Sequence, residues 1–302
     1  MRSSGTVLCI ASGSAFGAMA VFGKLAYGEG VTVGTLLAVR FALAAVLFWA
    51  IVLAGGALRE VRALGRRDLA LGLGLGAGGY AAQSGCYFAA LQRIDASLLS
   101  LLLYTFPAMV ATAAVVLGRE RLDSRRLAAL ALALGGLVLV VAGAGTGTLD
   151  PVGAALAMAA ALVYTMYILV SDGAVGRMAP HVLSALVCTG AALTLTIGSA
   201  ALGQLHPGAV TGAGWGWLVS LTAISTVGAI LLFFAGLRRA GPTTASILAT
   251  VEPVVTVALA FVVFGERLGG LQLAGGVLVL AAVFVLNVRF TRRRLAVQEA
   301  AA

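Results

Sequence analysis

Along this chain, apolar runs of roughly 20 residues, each long enough to cross a hydrocarbon core about 30 Å thick, alternate with short polar or glycine-rich segments. The pattern predicts ten such runs, near residues 5–26, 31–53, 69–90, 96–117, 127–146, 151–170, 182–203, 215–237, 243–264 and 270–288. In lipid, uniformly apolar spans of one open chain can satisfy their backbone only as helices. The expected fold class is therefore all-α, an integral membrane protein with ten transmembrane helices. The first run leads into folded-looking sequence with no small-residue cleavage site, and it reads as a retained span.

Composition sharpens this picture. Of the 302 residues, 61% are hydrophobic and 10% charged, against about a quarter charged in a soluble domain. The net charge of +9 raises the question of a nucleic-acid partner, and its distribution answers no. With the N-terminus in the cytoplasm, the arginines of 59–67, 119–126, 177, 238–239 and 289–294 face inward, and only Arg93 and Arg267 fall in outer loops. That is the positive-inside pattern, with both termini cytoplasmic and the plasma (bacterial inner) membrane implied. The tail reads as a topology anchor held by anionic lipid. Cys9, Cys86 and Cys188 lie inside predicted spans at no metal or redox spacing, and read as packing residues.

Displacing the sequence by 146 positions lays "TFPAMVATAAVVLGRERL" (Thr105 to Leu122) on "VEPVVTVALAFVVFGERL" (Val251 to Leu268), so that Pro107 meets Pro253 and Glu120 meets Glu266. Leu91, Arg93, Ser100 and Leu102 recur as Leu237, Arg239, Ser246 and Leu248. The chain accordingly divides into a first five-helix repeat (1–150), a second (151–288) and a basic tail (289–302). An odd number of spans per half makes the two halves enter the membrane from opposite sides, the inverted arrangement of secondary transporters.

With "VRF" (Val39 to Phe41), "YFAAL" (Tyr87 to Leu91) and "LDPVGAALAMAAALVY" (Leu149 to Tyr164), these features resemble the EamA family of the drug/metabolite transporter superfamily. The resemblance implies a ten-helix exporter whose halves each end in a proline-bearing fourth helix and a Gly-Glu turn. One departure is "LGRERL", where Gly118 sits one place out of register and weakens any special role for that turn.

Two charges lie deep in spans, Arg40 and Glu252. Each costs about 2.5 to 3.5 kcal/mol at mid-membrane, so both need partners. Both lie nine residues from their own surfaces, about 13.5 Å at 1.5 Å per residue, which puts them at similar depth. They either line a central cavity, Arg40 taking a carboxylate and Glu252 an ammonium or a proton, or form a fixed ion pair between the second and ninth helices. Pro107 and Pro253 free the carbonyls of Leu103 and Ala249 and should kink or unwind their helices, as gating elements or as packing kinks. Tyr80, Gln83, Ser84 and Tyr87 share one helical face; Tyr104 with Thr105, Tyr164 with Tyr167, and Thr222 with Ser225 and Thr226 add hydroxyls from three other spans. Each is either cavity lining or helix-to-helix glue.

Lys24 reads as snorkelling to the outer interface. His181 and His206 fall in predicted loops, and no aspartate sits mid-span, which leaves no serine- or aspartyl-protease set. "GAGGYA" (Gly76 to Ala81) follows no strand, and "GAMAVFGK" (Gly17 to Lys24) lacks Walker spacing, so no cofactor is expected. The expected function is non-enzymatic: a secondary transporter exporting small metabolites, amino acids or related zwitterions, by alternating access. The alternatives are a lipid-carrier flippase or multidrug exporter of the same superfamily, or a channel. The partners are a small-molecule substrate, membrane lipid and, through Glu252, protons as a candidate coupling ion; monomer and homodimer both stay open.

Overall fold

The computed structural model describes residues 2–118, 123–143, 150–175 and 177–299. Arg119, Glu120, Arg121 and Leu122 of the first turn copy, and Leu149, lie outside the described residues, as do the side chains of the tail arginines. Every regular element among the described residues is a helix. In chain order they are α1 (Arg2–Gly17), α2 (Met19–Gly28), α3 (Val33–Ala54), α4 (Leu58–Ala63), α5 (Arg66–Gly74), α6 (Ala81–Leu91), α7 (Ala96–Leu103), α8 (Phe106–Val116), α9 (Ser124–Gly143), α10 (Pro151–Val175), α11 (Pro180–Ala201), α12 (Gly212–Thr222), α13 (Ala229–Ala240), α14 (Pro242–Leu248), α15 (Val251–Phe264) and α16 (Gly270–Glu299). A wide π-helical turn, Leu75–Tyr80, joins α5 to α6, and a second, Ala223–Gly228, joins α12 to α13. The last helix continues without interruption into the basic tail.

Among the described residues, seven helical stretches are long and apolar enough to cross a membrane: Ser4–Gly28, Val33–Ala54, Ala96–Val116, Arg126–Gly143, Pro151–Ser171, Pro180–Ala201 and Gly212–Ala240. Val251–Phe264 and Gly270–Leu286 are shorter apolar helices. The α5–α6 rod is diluted by glycines and by Tyr80, Gln83, Ser84 and Tyr87. Local chemistry sets the boundaries. Thr32 and Thr211 accept hydrogen bonds from the backbone of Thr35 (3.1 Å) and Gly214 (3.0 Å), capping α3 and α12. Gly118 and Gly265 end α8 and α15 with φ of 68° and 69°, a left-handed conformation that favours glycine. The register slip between the two repeats therefore leaves the terminating glycine in place at both turns.

The most extensive packings pair α9 with α16, α3 with α11, α1 with α13, and α6 with α10. Apolar side chains gain little from leaving lipid for one another, so close backbone approach has to supply the contact. A Cβ added to Gly136 would lie 2.7 Å from the carbonyl oxygen of Gly275, and one on Gly275 would lie 2.5 Å from that of Gly136. At the crossing of α11 with the first π-helical turn the fit is closer still: a Cβ on Gly76 would strike the Val187 carbonyl, and one on Gly190 the Leu73 carbonyl.

This contact predicts that Gly190→Ala, which must push backbone apart, lowers stability by about 1–3 kcal/mol. Gly78→Ala, with nothing within 4 Å of its Cβ, should change it little or raise it. Thermal unfolding of both variants in one detergent checks the contrast.

Candidate functional site

The described residues surround a cavity of about 1040 Å³. Its deep wall carries Arg40 from α3, Tyr80, Gln83, Ser84 and Tyr87 from the π-helical turn and α6, Tyr104 after α7, Tyr164 and Tyr167 from α10, and Glu252 from α15. Phe106 and Pro107 at the start of α8 complete it. Polar residues singled out in five separate spans thus converge on one space. Five of the named residues stand outside the lining: Thr226 supports Arg40 from behind, Pro253 is buried within α15, and Thr105, Thr222 and Ser225 are buried elsewhere among the helices.

Arg40 is 1% exposed. Its Nε donates to Thr226 Oγ1 at 3.0 Å, and its guanidinium lies over the rings of Phe41 (4.8 Å) and Phe88 (5.3 Å). Thr226 in turn donates to the Leu221 carbonyl at 3.2 Å, a contact five residues back that belongs to the wide π-helical turn. Among the described residues, no carboxylate lies within ion-pair distance of Arg40. The fixed pair with Glu252 that similar depth allowed is therefore absent, and the cation is held by the neutral hydroxyls of Thr226 and Tyr80 and by two ring faces, which compensate its charge only in part.

Glu252 is held from another direction. The two halves of the proline-bearing spans are offset: α7 stops at Leu103 and α8 starts at Phe106, while α14 stops at Leu248 and α15 starts at Val251. Pro107 and Pro253 both sit in the first turn after these interruptions, where a missing backbone N–H is tolerated. The hydroxyl of Tyr104, in the first interruption, lies 2.6 Å from the Ala249 carbonyl and 3.0 Å from Glu252 Oε2, both at the second, and shares its one proton between them. The Ala249 carbonyl, which Pro253 deprives of its regular helical donor, thus accepts from the backbone of Glu252 at 3.0 Å and from a side chain of the other half of the chain. Glu252 occupies the first turn of α15, the positive end of that helix.

Aromatic rings continue the wall, with Tyr80 against Phe41 at 5.1 Å, Tyr164 against Phe106 at 4.6 Å, and Tyr164 stacked on Tyr167 at 6.2 Å. The outcome is a chamber with separated positive and negative groups, hydroxyls between them and ring faces around them.

Two sequence readings need correction. Lys24 does not simply snorkel: its Nζ bonds Glu266 Oε1 at 2.7 Å and approaches Asp95 Oδ1 at 3.5 Å. Glu266, in the turn whose importance the shifted glycine put in doubt, also accepts from the backbone of Ala96 (3.1 Å) and Ser97 (3.0 Å) and from Ser97 Oγ (2.8 Å). Burial alone would raise its pKa, but the bonds from Lys24 and Ser97 outweigh that and hold it below the ordinary carboxylate value. The recurrence of Glu-Arg-Leu was the signal available for this residue; its partners lie 169 to 242 positions away in the chain and leave no local mark.

An all-helical chain with membrane-length apolar spans around a polar chamber has the build of a membrane transporter rather than an enzyme. The chain belongs to the EamA-like transporter family, which matches residues 3–142 and again residues 151–288. It is 29% identical over 281 residues to an uncharacterized transporter of Archaeoglobus fulgidus, covering 93% of this chain and 95% of that one. It is 26% identical over 286 residues to the uncharacterized transporter YcbK of Bacillus subtilis, covering 90% and 89%. A crystal structure of another protein shares the fold with a TM-score of 0.67 at 20% identity, covering 95% of this chain and 99% of that one.

The support of Arg40 generates a prediction. Thr226→Val keeps the shape but leaves the buried Nε without its acceptor, and should cost about 1–3 kcal/mol; Thr226→Ser should retain most of the stability. Unfolding midpoints of the two proteins decide whether the hydroxyl, rather than the side-chain volume, holds the arginine.

Proposed function

We propose that this protein is a secondary transporter that exports small zwitterionic metabolites, amino acids or close relatives, across the plasma (bacterial inner) membrane by alternating access. The observation that carries the reading is the separation of Arg40 and Glu252 across one cavity, with no ion pair between them. A zwitterion fits that separation: its carboxylate supplies the counter-charge that Arg40 lacks, and its ammonium replaces Tyr104 as a donor to Glu252. The ring faces of Tyr80, Tyr164 and Tyr167 suit the apolar part of such a molecule.

The mechanism class follows from an inverted repeat of two five-span halves. The α5–α6 rod and the shorter α14–α15 and α16 stretches bring the spans to ten, each broken rod crossing as one unit. Two observations support the halves being antiparallel copies. The family matches twice, once in each half, and the packings of α1 with α13 and of α6 with α10 exchange under the 146-residue displacement, while α3 with α11 and α9 with α16 map onto themselves. The basic segments place both termini in the cytoplasm. Export as the direction of flux follows family resemblance. Glu252 is the candidate proton carrier, since binding a proton or an ammonium there would compete for the same oxygens.

A screen of amino acids, purine derivatives and cationic drugs in proteoliposomes, with and without a pH gradient, tests the substrate class. For an amino-acid substrate, Arg40→Gln and Glu252→Gln should each lower uptake at least about tenfold, the effect of losing one charge-assisted hydrogen bond of about 1.5–3 kcal/mol. Undiminished transport in both variants, each shown to fold, refutes the substrate site. Ion currents far above carrier turnover favour a channel, and transfer of labelled lipid alone favours a flippase.

A further inference from the structure

The cavity is open toward one end of the helix bundle and closed toward the other. Its lining runs from Arg40 and Glu252 down to Ser171, Ser184, Phe234, Ala245 and the α9 start at Asp123 and Arg126. Toward the opposite end, Phe88, Leu91, Leu98, Leu99 and Leu102 fill the space, each 5% exposed or less. What pins this plug at its rim is the Glu266 cluster. Ala96 and Ser97 are the first residues of α7, whose own preceding residue, Asp95, makes no side-chain capping bond. Glu266 takes that role across the protein and binds Lys24 of α2 at the same time, with its side chain 6% exposed. One carboxylate therefore joins three spans at the closed end. The neighbouring Arg93–Asp150 pair (3.1 Å) is 48% and 32% exposed, so solvent screens it far more.

We infer that the Glu266 carboxylate, bound to Lys24 and to the N-terminus of α7, is the latch that closes the substrate cavity on this side. The inference rests on the alternating-access reading and identifies what controls access to its site. Opening this end requires α7 to part from the turn after α15. That movement breaks the three Glu266 bonds to Ala96 and Ser97 together, because they meet on one side chain, and water takes their place. The closed state is held by charge-assisted bonds that the opened state replaces with hydration, so a modest difference decides the population.

The test uses the full chain with Cys9, Cys86 and Cys188 changed to alanine. Ser100→Cys, one turn inside α7 and 4% exposed, reports the latch side; Ser184→Cys, in the cavity wall, reports the other. An impermeant maleimide is applied to right-side-out and to inside-out vesicles. With Glu266→Gln, labelling of Ser100→Cys from the latch side should rise about tenfold, the factor expected for losing one charged hydrogen bond, and labelling of Ser184→Cys from the other side should fall. Lys24→Gln, which removes the Lys24 charge from Glu266 and Asp95 but leaves the Glu266 bonds to Ala96 and Ser97, should shift both in the same direction by less. Unchanged labelling in both variants overturns the latch, and should Glu266→Gln fail to fold, unchanged labelling in Lys24→Gln alone overturns it. Shifted labelling without transport of any compound keeps the latch and removes the transporter reading; unaltered labelling with intact transport does the reverse.

Discussion

A backbone carbonyl or N–H left unpaired at membrane depth costs several kcal/mol, so every interruption of a helix has to be answered by another part of the protein. The structure meets that constraint at three places where a span departs from regularity. Pro253 removes the helical donor to the Ala249 carbonyl, and the backbone N–H of Glu252 and the hydroxyl of Tyr104 take its place. The N-terminus of α7 begins with no local cap, and Glu266 supplies one. The π-helical turn Ala223–Gly228 leaves the Leu221 carbonyl to be met by Thr226, whose oxygen then receives Arg40. In the first two of these cases an answering group comes from the other half of the chain, while Thr226 acts within its own turn and receives Arg40 from the other half, so the polar interior also ties the halves together.

The same constraint explains why the two deep charges are placed as they are. An arginine facing lipid would either drag water inward or bend its side chain to the surface. Arg40 does neither: it lies between two phenylalanine rings, with Nε on a threonine hydroxyl. A salt bridge to Glu252 would have satisfied both charges and produced a static pin. Dividing them between a hydroxyl on one side and a phenol on the other leaves each only partly compensated, which is the state a ligand with opposite charges at its two ends can exploit.

How much of this was legible beforehand depended on range in the chain. The apolar runs announce helices because length and composition suffice, and Pro107 and Pro253 announce interruptions because a proline acts on its own residue and the one four before it. Tyr80, Gln83, Ser84 and Tyr87 could be grouped because helical periodicity is local. The partner of Arg40 could not be chosen from Thr222, Ser225 and Thr226, since all three share a face and the choice depends on how α3 crosses the second π-helical turn. Neither π-helical turn carries a proline. Glu266 was visible as a recurring residue, yet its target lies in another span, and the shifted glycine pointed away from it; in the structure Gly118 and Gly265 end their helices in the same conformation.

The geometry of α7 connects the cavity to its rim. This helix has 8 residues, about 12 Å of rod. One end is held by Glu266, and the residue that closes the other, Tyr104, is bonded to Ala249 and Glu252. In the proposed function, a substrate ammonium that takes Glu252 from the Tyr104 hydroxyl would loosen the inner end of a rod whose outer end bears the proposed latch. A rod that short transmits tilt rather than bending, so a change at the carboxylate in the cavity alters the alignment of the Ala96 and Ser97 N–H groups toward Glu266. Occupancy and access are then linked through one rigid element, and the link requires only that the two ends of α7 compete for the same orientation.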